Sequence, residues 1–268
     1  MKPIKFISGL FLGILSLPAL AEAQQADGNW HLTVGAGTIL TPAFLGASEY
    51  NLSLFPNVRV MYKDLFFASV EGVGLSLVNN HGWQFGPIVK YRFPRNETNG
   101  TSPFKIAGPD STALRGLGDV NGVFEAGGFA KYTWERLQSK WVVVQGTNSP
   151  YGLLATWDVN YFYHYGHLYY SFGPHASWAN GQYNNTYFGI NATQSINSGL
   201  PMYSADAGIV NYGVGATLFV PLSKHILTAW FGSYDRLTGS VADSPLVQQR
   251  GSENQFVIGM SVGYRWDI

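Results

Sequence analysis

The stretch QFVIGMSVGYRWDI, residues 255–268, alternates large apolar residues with small or polar ones. The apolar set occupies every even position and consists of Phe256, Ile258, Met260, Val262, Tyr264, Trp266 and Ile268. Because successive side chains of a β-strand point to opposite faces, the pattern predicts a strand with one apolar and one polar face. A half-buried strand of a soluble sandwich shows the same alternation, but it seldom continues this far with aromatic residues gathered at one end.

The same period recurs along the chain. It is clear in residues 30–40, 83–93, 153–164, 168–178 and 210–220, and weaker in 52–62, 64–77, 122–134, 139–147 and 224–235. Together with the final stretch this makes eleven segments, and single-chain bacterial barrels have even strand numbers. We therefore predict an all-β, antiparallel transmembrane barrel of about twelve strands, with ten as the alternative. No stretch has a convincing helical period.

The composition fits a wall with one apolar and one polar face. Charged residues make up 12% of the chain and aromatic residues 15%, and the mean hydropathy is +0.00. A soluble globular protein carries roughly 25% charged residues, whereas lipid-facing and lumen-facing residues of a barrel alternate and cancel in the average. A net charge of zero gives no electrostatic basis for binding nucleic acid. The absence of cysteine excludes disulfides and thiolate metal sites.

The first residues have the pattern of a secretory signal peptide. Lys2 and Lys5 precede an apolar stretch at 6–17, and small-x-small sites follow at 19–21 and 21–23. The alternative is a membrane anchor, which is disfavoured because the apolar stretch is shorter than the ~20 residues that cross a bilayer.

We expect cleavage after Ala21 or Ala23, which makes residues 1–23 the signal peptide and 24–268 a single barrel. Beyond the signal peptide no apolar run is long enough for a transmembrane helix. An exported protein that stays in the membrane without such a helix is predicted to be a barrel, because an open sheet would leave backbone groups unpaired in lipid.

The predicted strands are joined by connections of two lengths. Short ones at 79–82, 165–167 and 221–224 are expected to be periplasmic turns, and long ones at about 94–119, 180–205 and 236–252 to be extracellular loops.

The connections and strand ends also carry motifs rich in glycine, proline, serine and aromatic residues. They read PAFLGASEY at 42–50, followed by Pro56, then YFGI at 187–190, SGLPMY at 198–203, YDRL at 234–237 and DSPLV at 243–247. These motifs resemble the outer-membrane family named for the MltA-interacting protein and OmpV. The loop residues that match the family are Pro42, Gly46, Tyr50, Pro56, Tyr187, Phe188, Gly189, Ser198, Gly199, Tyr203, Leu237, Ser244 and Pro245.

Departures from the family pattern are few. Phe44 and Ala47 replace a tyrosine and a serine, and Asp267 and Ile268 follow Trp266 where the family ends on an aromatic residue. Because Ile268 keeps the apolar phase, we expect the barrel-assembly machinery to recognise the final strand through its seven even-numbered apolar residues.

What the resemblance implies is a non-enzymatic scaffold in the outer membrane of a Gram-negative bacterium. Such a barrel would contact outer-membrane lipid and hold a lytic transglycosylase near a penicillin-binding protein. We expect no cofactor and no metal, since the histidines lack ligand spacing. The motifs themselves either fold the loops back into the barrel mouth or form a partner-binding surface.

Two other functions stay open. Gly, Ser, Thr and Asn on the polar faces would leave room for a small-solute channel. A lipid-modifying barrel enzyme would need a nucleophile beside a base. Asp158 and His164 share a face but lie about 20 Å apart at ~3.3 Å per residue, whereas His175 and Ser177 are close enough to meet. We predict no catalytic residues.

Charged residues within the predicted strands are expected to face the lumen in pairs. They are Glu71, Lys90, Arg92, Glu125 and Lys131. A single Lys or Arg on the lipid face would cost about 2–4 kcal/mol at the midplane.

Overall fold

The computed structural model describes residues 29–98, 100–101, 104–148 and 150–268, so the expected signal peptide lies outside the described residues. The described chain forms one antiparallel sheet. Its strands are β1 (Trp30–Pro42), β2 (Tyr50–Tyr62), β3 (Phe66–Ser69), β4 (Gly72–Leu75), β5 (Val78–Asn80), β6 (Trp83–Arg92), β7 (Lys105–Ala107), β8 (Val123–Trp134), β9 (Leu137–Gly146), β10 (Leu153–Tyr165), β11 (Leu168–Ala179), β12 (Gly208–Pro221), β13 (Ile226–Leu237) and β14 (Asn254–Asp267).

The sheet closes into a barrel because β1 pairs with both β2 and β14. Twelve strands form the wall, in the order β1-β2-β3-β4-β6-β8 and then β9 to β14 in sequence. The short β5 pairs with β6 beyond β4, and the short β7 pairs with one end of β2. The predicted twelve-stranded antiparallel barrel is confirmed.

The strand missed in the sequence lies within the segment 64–77. That segment is not one strand but the hairpin of β3 and β4, turned by Val70 and Glu71. Each arm has only four residues, so neither shows enough alternation to be recognised by itself. Gly72 follows the turn with φ +141°, a conformation that favours glycine.

Four short helices, absent from the sequence prediction, lie in two of the long connections. They are α1 (Gly181–Phe188), α2 (Ala192–Ser198), α3 (Gly239–Ala242) and α4 (Pro245–Arg250). They are too short to show a helical period, and local capping starts two of them. The Asn180 side chain accepts from the Tyr183 N–H at 3.0 Å, and Asn191 forms a capping box with Gln194. Among the described residues no helix has both the length and the apolarity to cross a membrane.

The outer face of the wall is apolar and is bordered by aromatic side chains at both ends. At the end that holds the C-terminus, Trp30 contacts Tyr62 with ring centroids 4.6 Å apart, and Trp83 contacts Tyr132 at 4.7 Å. At the other end Tyr91 contacts Phe124 at 5.0 Å. Aromatic girdles of this kind mark the two membrane interfaces of a transmembrane barrel.

Phenylalanines fill part of the barrel interior. Phe55 of β2 and Phe231 of β13 meet with centroids 6.2 Å apart, and Phe67 of β3 meets Phe129 of β8 at 5.4 Å. Their rings lie over strand glycines: a Cβ at Gly74 would come within 2.4 Å of the Phe67 ring. Glycine is required there because any side chain would collide with the ring.

The two ends of the barrel differ in their connections. Asn29, the C-terminus and the short turns at 63–65, 81–82, 135–136, 166–167 and 222–225 lie at one end, and the long connections lie at the other. The predicted division into short turns at one end and long connections at the other is present, and the expectation that the short turns face the periplasm stays a prediction.

Candidate functional site

The long connections fold over the mouth of the barrel and form what we call the loop cap, which comprises the described residues of four segments: 43–49, 93–122 without 99, 102 and 103, 180–207 and 238–253. It has a core of its own. Side chains that are at most 1% exposed come from all four segments and include Phe44, Ala47, Leu114, Tyr183, Phe188, Val241 and Leu246. A buried core of this kind makes the cap a packed structure rather than a set of free loops.

Several family-signature residues hold the cap segments together. The Ser244 hydroxyl donates to the Phe188 carbonyl oxygen at 2.7 Å, which joins α4 to the end of α1. Tyr203 exchanges backbone hydrogen bonds with Ile190 at 2.8 and 2.9 Å, and its hydroxyl donates to the Ser240 carbonyl oxygen at 2.7 Å. These contacts favour the view that the motifs fold the loops into the mouth.

Other signature residues shape the helix ends and turns of the cap. Gly199 ends α2 in the left-handed region at φ 75°, next to Ser198, and Gly189 ends α1 after Tyr187. Pro245 starts α4, where a missing N–H costs nothing. Gly46 has φ +98°, and a Cβ there would lie 3.0 Å from the Val247 side chain.

Four signature residues predicted in loops lie in strands instead. Pro42 ends β1 opposite Tyr50 at the start of β2, Pro56 lies inside β2, and Leu237 ends β13. The strands are longer than their apolar alternation indicates, because β1 and β2 continue their pairing into the cap, where both faces are covered.

Replacing Ser244 with alanine is expected to lower the free energy of unfolding by about 1–3 kcal/mol, because the buried Phe188 carbonyl loses its partner. Urea unfolding of the barrel in vesicles of neutral lipid measures the change. Ser204→Ala, at an exposed position of the same cap, serves as the control and should cost far less. Equal costs for the two variants would show that the Ser244 contact does not stabilise the cap.

A cavity of about 170 Å³ lies between the loop cap and the barrel interior. Its apolar lining comes from the cap and the strand ends, and its polar lining comes mainly from the inner faces of eight strands. The charged and titratable residues that line it are Glu71, Lys90, Tyr91, Arg92, Arg95, Glu125, Asp158, His175, Tyr183, Tyr187 and Asp235.

The carboxylates of the cavity have cationic neighbours. Arg92 contacts Glu125 at 2.6 Å through Nη2 and at 2.7 Å through Nε, and the carboxylate is 2% exposed. Arg92 also donates to the Tyr183 hydroxyl at 2.9 Å, which ties β6 to α1. Sequence reasoning placed Arg92 and Glu125 in the lumen but gave no indication of the role of Tyr183.

Glu71, in the β3–β4 turn, lies 3.9 Å from Arg59 of β2 and 3.6 Å from Lys140 of β9. The pairing of lumen charges expected from the sequence is present for Glu71, Arg92 and Glu125, although Glu71 pairs with two residues that the sequence did not single out.

Arg95 of the loop cap is 4% exposed and lies over the Tyr187 ring at 5.7 Å. Its Nη1 donates to the Tyr187 carbonyl oxygen. Its Nε and the Tyr187 hydroxyl, by contrast, are buried without a partner among the described residues. Burial of the guanidinium lowers the pKa of Arg95 to about 10. The sequence gave no signal for this residue beyond its spacing from Arg92.

The candidate residues for an enzyme do not assemble into a nucleophile and base. His175 Nε2 lies 2.7 Å from Asp235 Oδ1, and Asp158 is the register partner of His175. The Ser177 hydroxyl donates to Asn211 rather than to a histidine. His164 lies six residues from Asp158 on β10, near the short-turn end, as the strand geometry predicts.

The final strand lies in the wall as the alternation predicts. Its seven even-numbered apolar residues face outward, and Ile258 is 63% exposed. The strand pairs with β13 on one side and with β1 on the other, so it forms half of the seam that closes the barrel.

These features define a class: a closed barrel with an apolar outer belt, aromatic girdles and a folded cap is an outer-membrane β-barrel protein. The family model described as "MltA-interacting protein MipA" matches residues 34–266, and the chain belongs to this family. The family resemblance read from the sequence motifs is confirmed.

Two curated relatives come from Escherichia coli strain K12. The MltA-interacting protein is 26% identical over 251 residues, which cover 90% of this chain and 92% of the relative. The putative outer membrane protein YiaT is 33% identical over 79 residues, which cover 30% of this chain and 31% of the relative.

Among solved structures, the COG4313 outer membrane channel from Pseudomonas putida F1 is similar at a TM-score of 0.45 with 10% identity. The alignment covers 89% of this chain and 96% of that one. The NanC porin is similar at a TM-score of 0.43 with 9% identity, covering 87% of this chain and 98% of that one.

Proposed function

We propose that the protein is a non-enzymatic scaffold of the outer membrane whose periplasmic end holds a lytic transglycosylase near a penicillin-binding protein. The observation that carries the proposal is the packed loop cap over a barrel whose interior also contains phenylalanine pairs in edge-to-face contact. A capped and partly filled barrel is suited to presenting a rigid surface rather than to passing solute. The name of the relatives, MltA-interacting protein, supports a lytic transglycosylase as the partner.

The surface available for such a partner is the end formed by the C-terminus and the short turns. Its strand ends are fixed by a cluster of charges: His31 and Arg265 contact Asp267 at 2.6 and 2.7 Å. Turns on a rigid barrel rim keep a constant geometry, which lowers the entropy cost of binding.

The second candidate is a small-solute channel, and the cavity beneath the cap favours it. Opposite charges on the lining, such as Lys90 and Asp158, resemble the polar lumen of a selective pore. The cap must then open for solute to pass.

Single-channel conductance in planar bilayers separates the two candidates. We expect no conductance steps from the folded protein, because the cap and the phenylalanines obstruct the lumen. A variant in which a short Gly-Ser linker replaces residues 181–206, and alanine replaces Phe55 and Phe231, should conduct and shows that the barrel inserts. Stable, reproducible steps from the unmodified protein would overturn the proposal in favour of the channel.

Binding to a purified lytic transglycosylase of the same bacterium tests the partner directly. Barrel immobilised through an affinity tag in the loop cap should retain the enzyme, whereas an unrelated barrel of similar size should not. Failure of the folded barrel to retain it at micromolar concentrations would contradict the scaffold function.

A further inference from the structure

Two hydrogen-bond donors of the loop cap line the cavity without an acceptor. Arg95 is 4% exposed and Tyr187 is 8% exposed. Arg95 Nε and the Tyr187 hydroxyl are buried and have no partner among the described residues. Burial also raises the pKa of Tyr187, so its hydroxyl keeps the proton that it can donate. Because buried polar groups are normally satisfied, two such donors on one lining are suited to hold an anionic group of a ligand.

A carboxylate faces the same cavity from the barrel wall. Asp158 lies on the inner face of β10, five positions from the cap-side end of that strand at Leu153, and it is 9% exposed. It forms no hydrogen bond and no ion pair with any residue that the structure describes. The two donors and this acceptor therefore meet the cavity from different depths, the donors in the cap and the acceptor inside the barrel.

The cations beside Asp158 in the sheet are held by other carboxylates. Lys140 of β9 and His175 of β11 are its register partners. Lys140 pairs with Glu71 at 3.6 Å, and His175 Nε2 lies 2.7 Å from Asp235 Oδ1. Both cations act on Asp158 through space but do not donate to it. The hydrogen-bonding capacity of this carboxylate thus remains for a ligand.

Apolar side chains line the cavity on the cap side of Asp158. Leu154 lies on the same face of β10, four positions nearer the cap, and Phe44 and Phe188 line the cavity from the cap itself. All three are at most 5% exposed. A ligand that fits this lining presents an anionic group to the cap, a cationic group to the barrel and an apolar segment between them.

We propose that the cavity binds a short zwitterion with a carboxylate at one end and an ammonium group at the other, such as an ω-amino acid. The ligand's carboxylate accepts hydrogen bonds from Arg95 Nε and the Tyr187 hydroxyl, and its ammonium group donates to Asp158. Each buried charge of the ligand then has a fixed partner, which burial of a charge requires.

The volume of the cavity sets the size of the ligand. At about 170 Å³ the cavity is close to the ~150 Å³ that holds benzene in an engineered cavity, so it has room for about seven non-hydrogen atoms. 4-Aminobutanoate has this size and carries both charged groups, which makes it the probe for the site.

This inference goes beyond the scaffold function and is tested without any protein partner. Titration calorimetry of the refolded barrel in an uncharged detergent measures the binding of 4-aminobutanoate. We expect saturable binding at one site. Butanoate and butylamine, which each offer only one of the two charges, should bind at least tenfold more weakly.

Two variants assign the ends of the ligand. Tyr187→Phe and Asp158→Asn should each weaken the binding of 4-aminobutanoate at least tenfold. Asp158→Asn should also remove the preference for 4-aminobutanoate over butanoate, because the ammonium group no longer meets a carboxylate. Tyr187→Phe should instead reduce the preference over butylamine.

Matched controls are available for both variants. Tyr151→Phe removes the hydroxyl of a tyrosine that is also 8% exposed but lies outside the cavity lining, and Asp64→Asn removes a carboxylate in a short turn at the other end of the barrel. Both should bind 4-aminobutanoate as the unmodified protein does. Heat-modifiable migration shows that each variant is folded.

The outcomes separate loss of the site from loss of the fold. The Tyr187 hydroxyl and the Asp158 carboxylate have no described partner to lose, so neither variant should unfold at a lower urea concentration than the unmodified protein. No saturable binding of 4-aminobutanoate, equal binding of butanoate, or unchanged affinity in either variant would overturn the proposed site. None of these results bears on retention of the lytic transglycosylase, which tests the scaffold function separately.

Discussion

Replacing Arg92 with methionine is expected to lower the free energy of unfolding by about 3–5 kcal/mol, because it leaves a buried carboxylate without its cation. Glu125 is 2% exposed and loses both of its contacts with the guanidinium, and the Tyr183 hydroxyl loses its donor as well. Since Tyr183 belongs to α1, the change also loosens the attachment of the loop cap to β6. Urea unfolding in neutral-lipid vesicles, followed by tryptophan fluorescence, gives the value.

Two further variants show whether burial is the cause. Arg236→Met breaks a 2.7 Å ion pair with Glu253 whose side chains are 44% and 28% exposed, and it should cost less than ~1 kcal/mol. Adding Glu125→Gln to Arg92→Met should recover much of the loss, because the uncompensated charge is then absent. Similar costs for Arg92→Met and Arg236→Met would refute the importance of the buried pair.

Replacing Met260 with arginine is expected to cost about 2–4 kcal/mol, because the side chain faces lipid near the middle of the wall. Met260 is the register partner of Trp230 and of Thr38, and it is 45% exposed on the apolar belt. The same unfolding experiment measures the loss.

Ile268→Arg is the matched control for Met260→Arg, on the same apolar phase but at the end of the strand. At the interface the charge should cost about 0–1 kcal/mol. A large loss at Ile268 and none at Met260 would mean that the belt is placed wrongly along the strand. The yield of folded barrel in cells, compared for the two variants, also reports on recognition of this strand during assembly.

Much of the wall could be predicted from the sequence, because the alternation of side chains is a direct consequence of strand geometry. The exceptions have a common cause. In the β3–β4 hairpin the arms are too short for a period to develop, and in α1 and α2 the helices are fixed by Asn180 and Asn191 rather than by an apolar face. Short elements draw their stability from tertiary packing, which a local pattern does not contain.

The cavity was harder to predict than the wall. Inward positions such as Lys90 and Glu125 follow from the alternation, but which cation takes which carboxylate depends on register between strands joined by a long connection. Arg95 and Tyr187 reach the cavity from the loop cap, where no period constrains them. Arg95 was not predicted, and Tyr187 was predicted only as a family-signature loop residue, because no rule relates a loop residue to a distant strand.

The seam between β1 and β14 also sets the order in which the barrel can form. His31 and Asp267, which meet at 2.6 Å, are separated by 236 positions in the chain. β1 pairs with β2 on one side, but its second partner is β14, the last strand of the chain. The loop closed by the β1–β14 pairing is therefore nearly as long as the chain allows. Contacts between residues that are this far apart in the sequence form slowly. We therefore expect closure of the β1–β14 seam, rather than formation of any single hairpin, to be the slow step, and every intermediate before it exposes two unpaired strand edges.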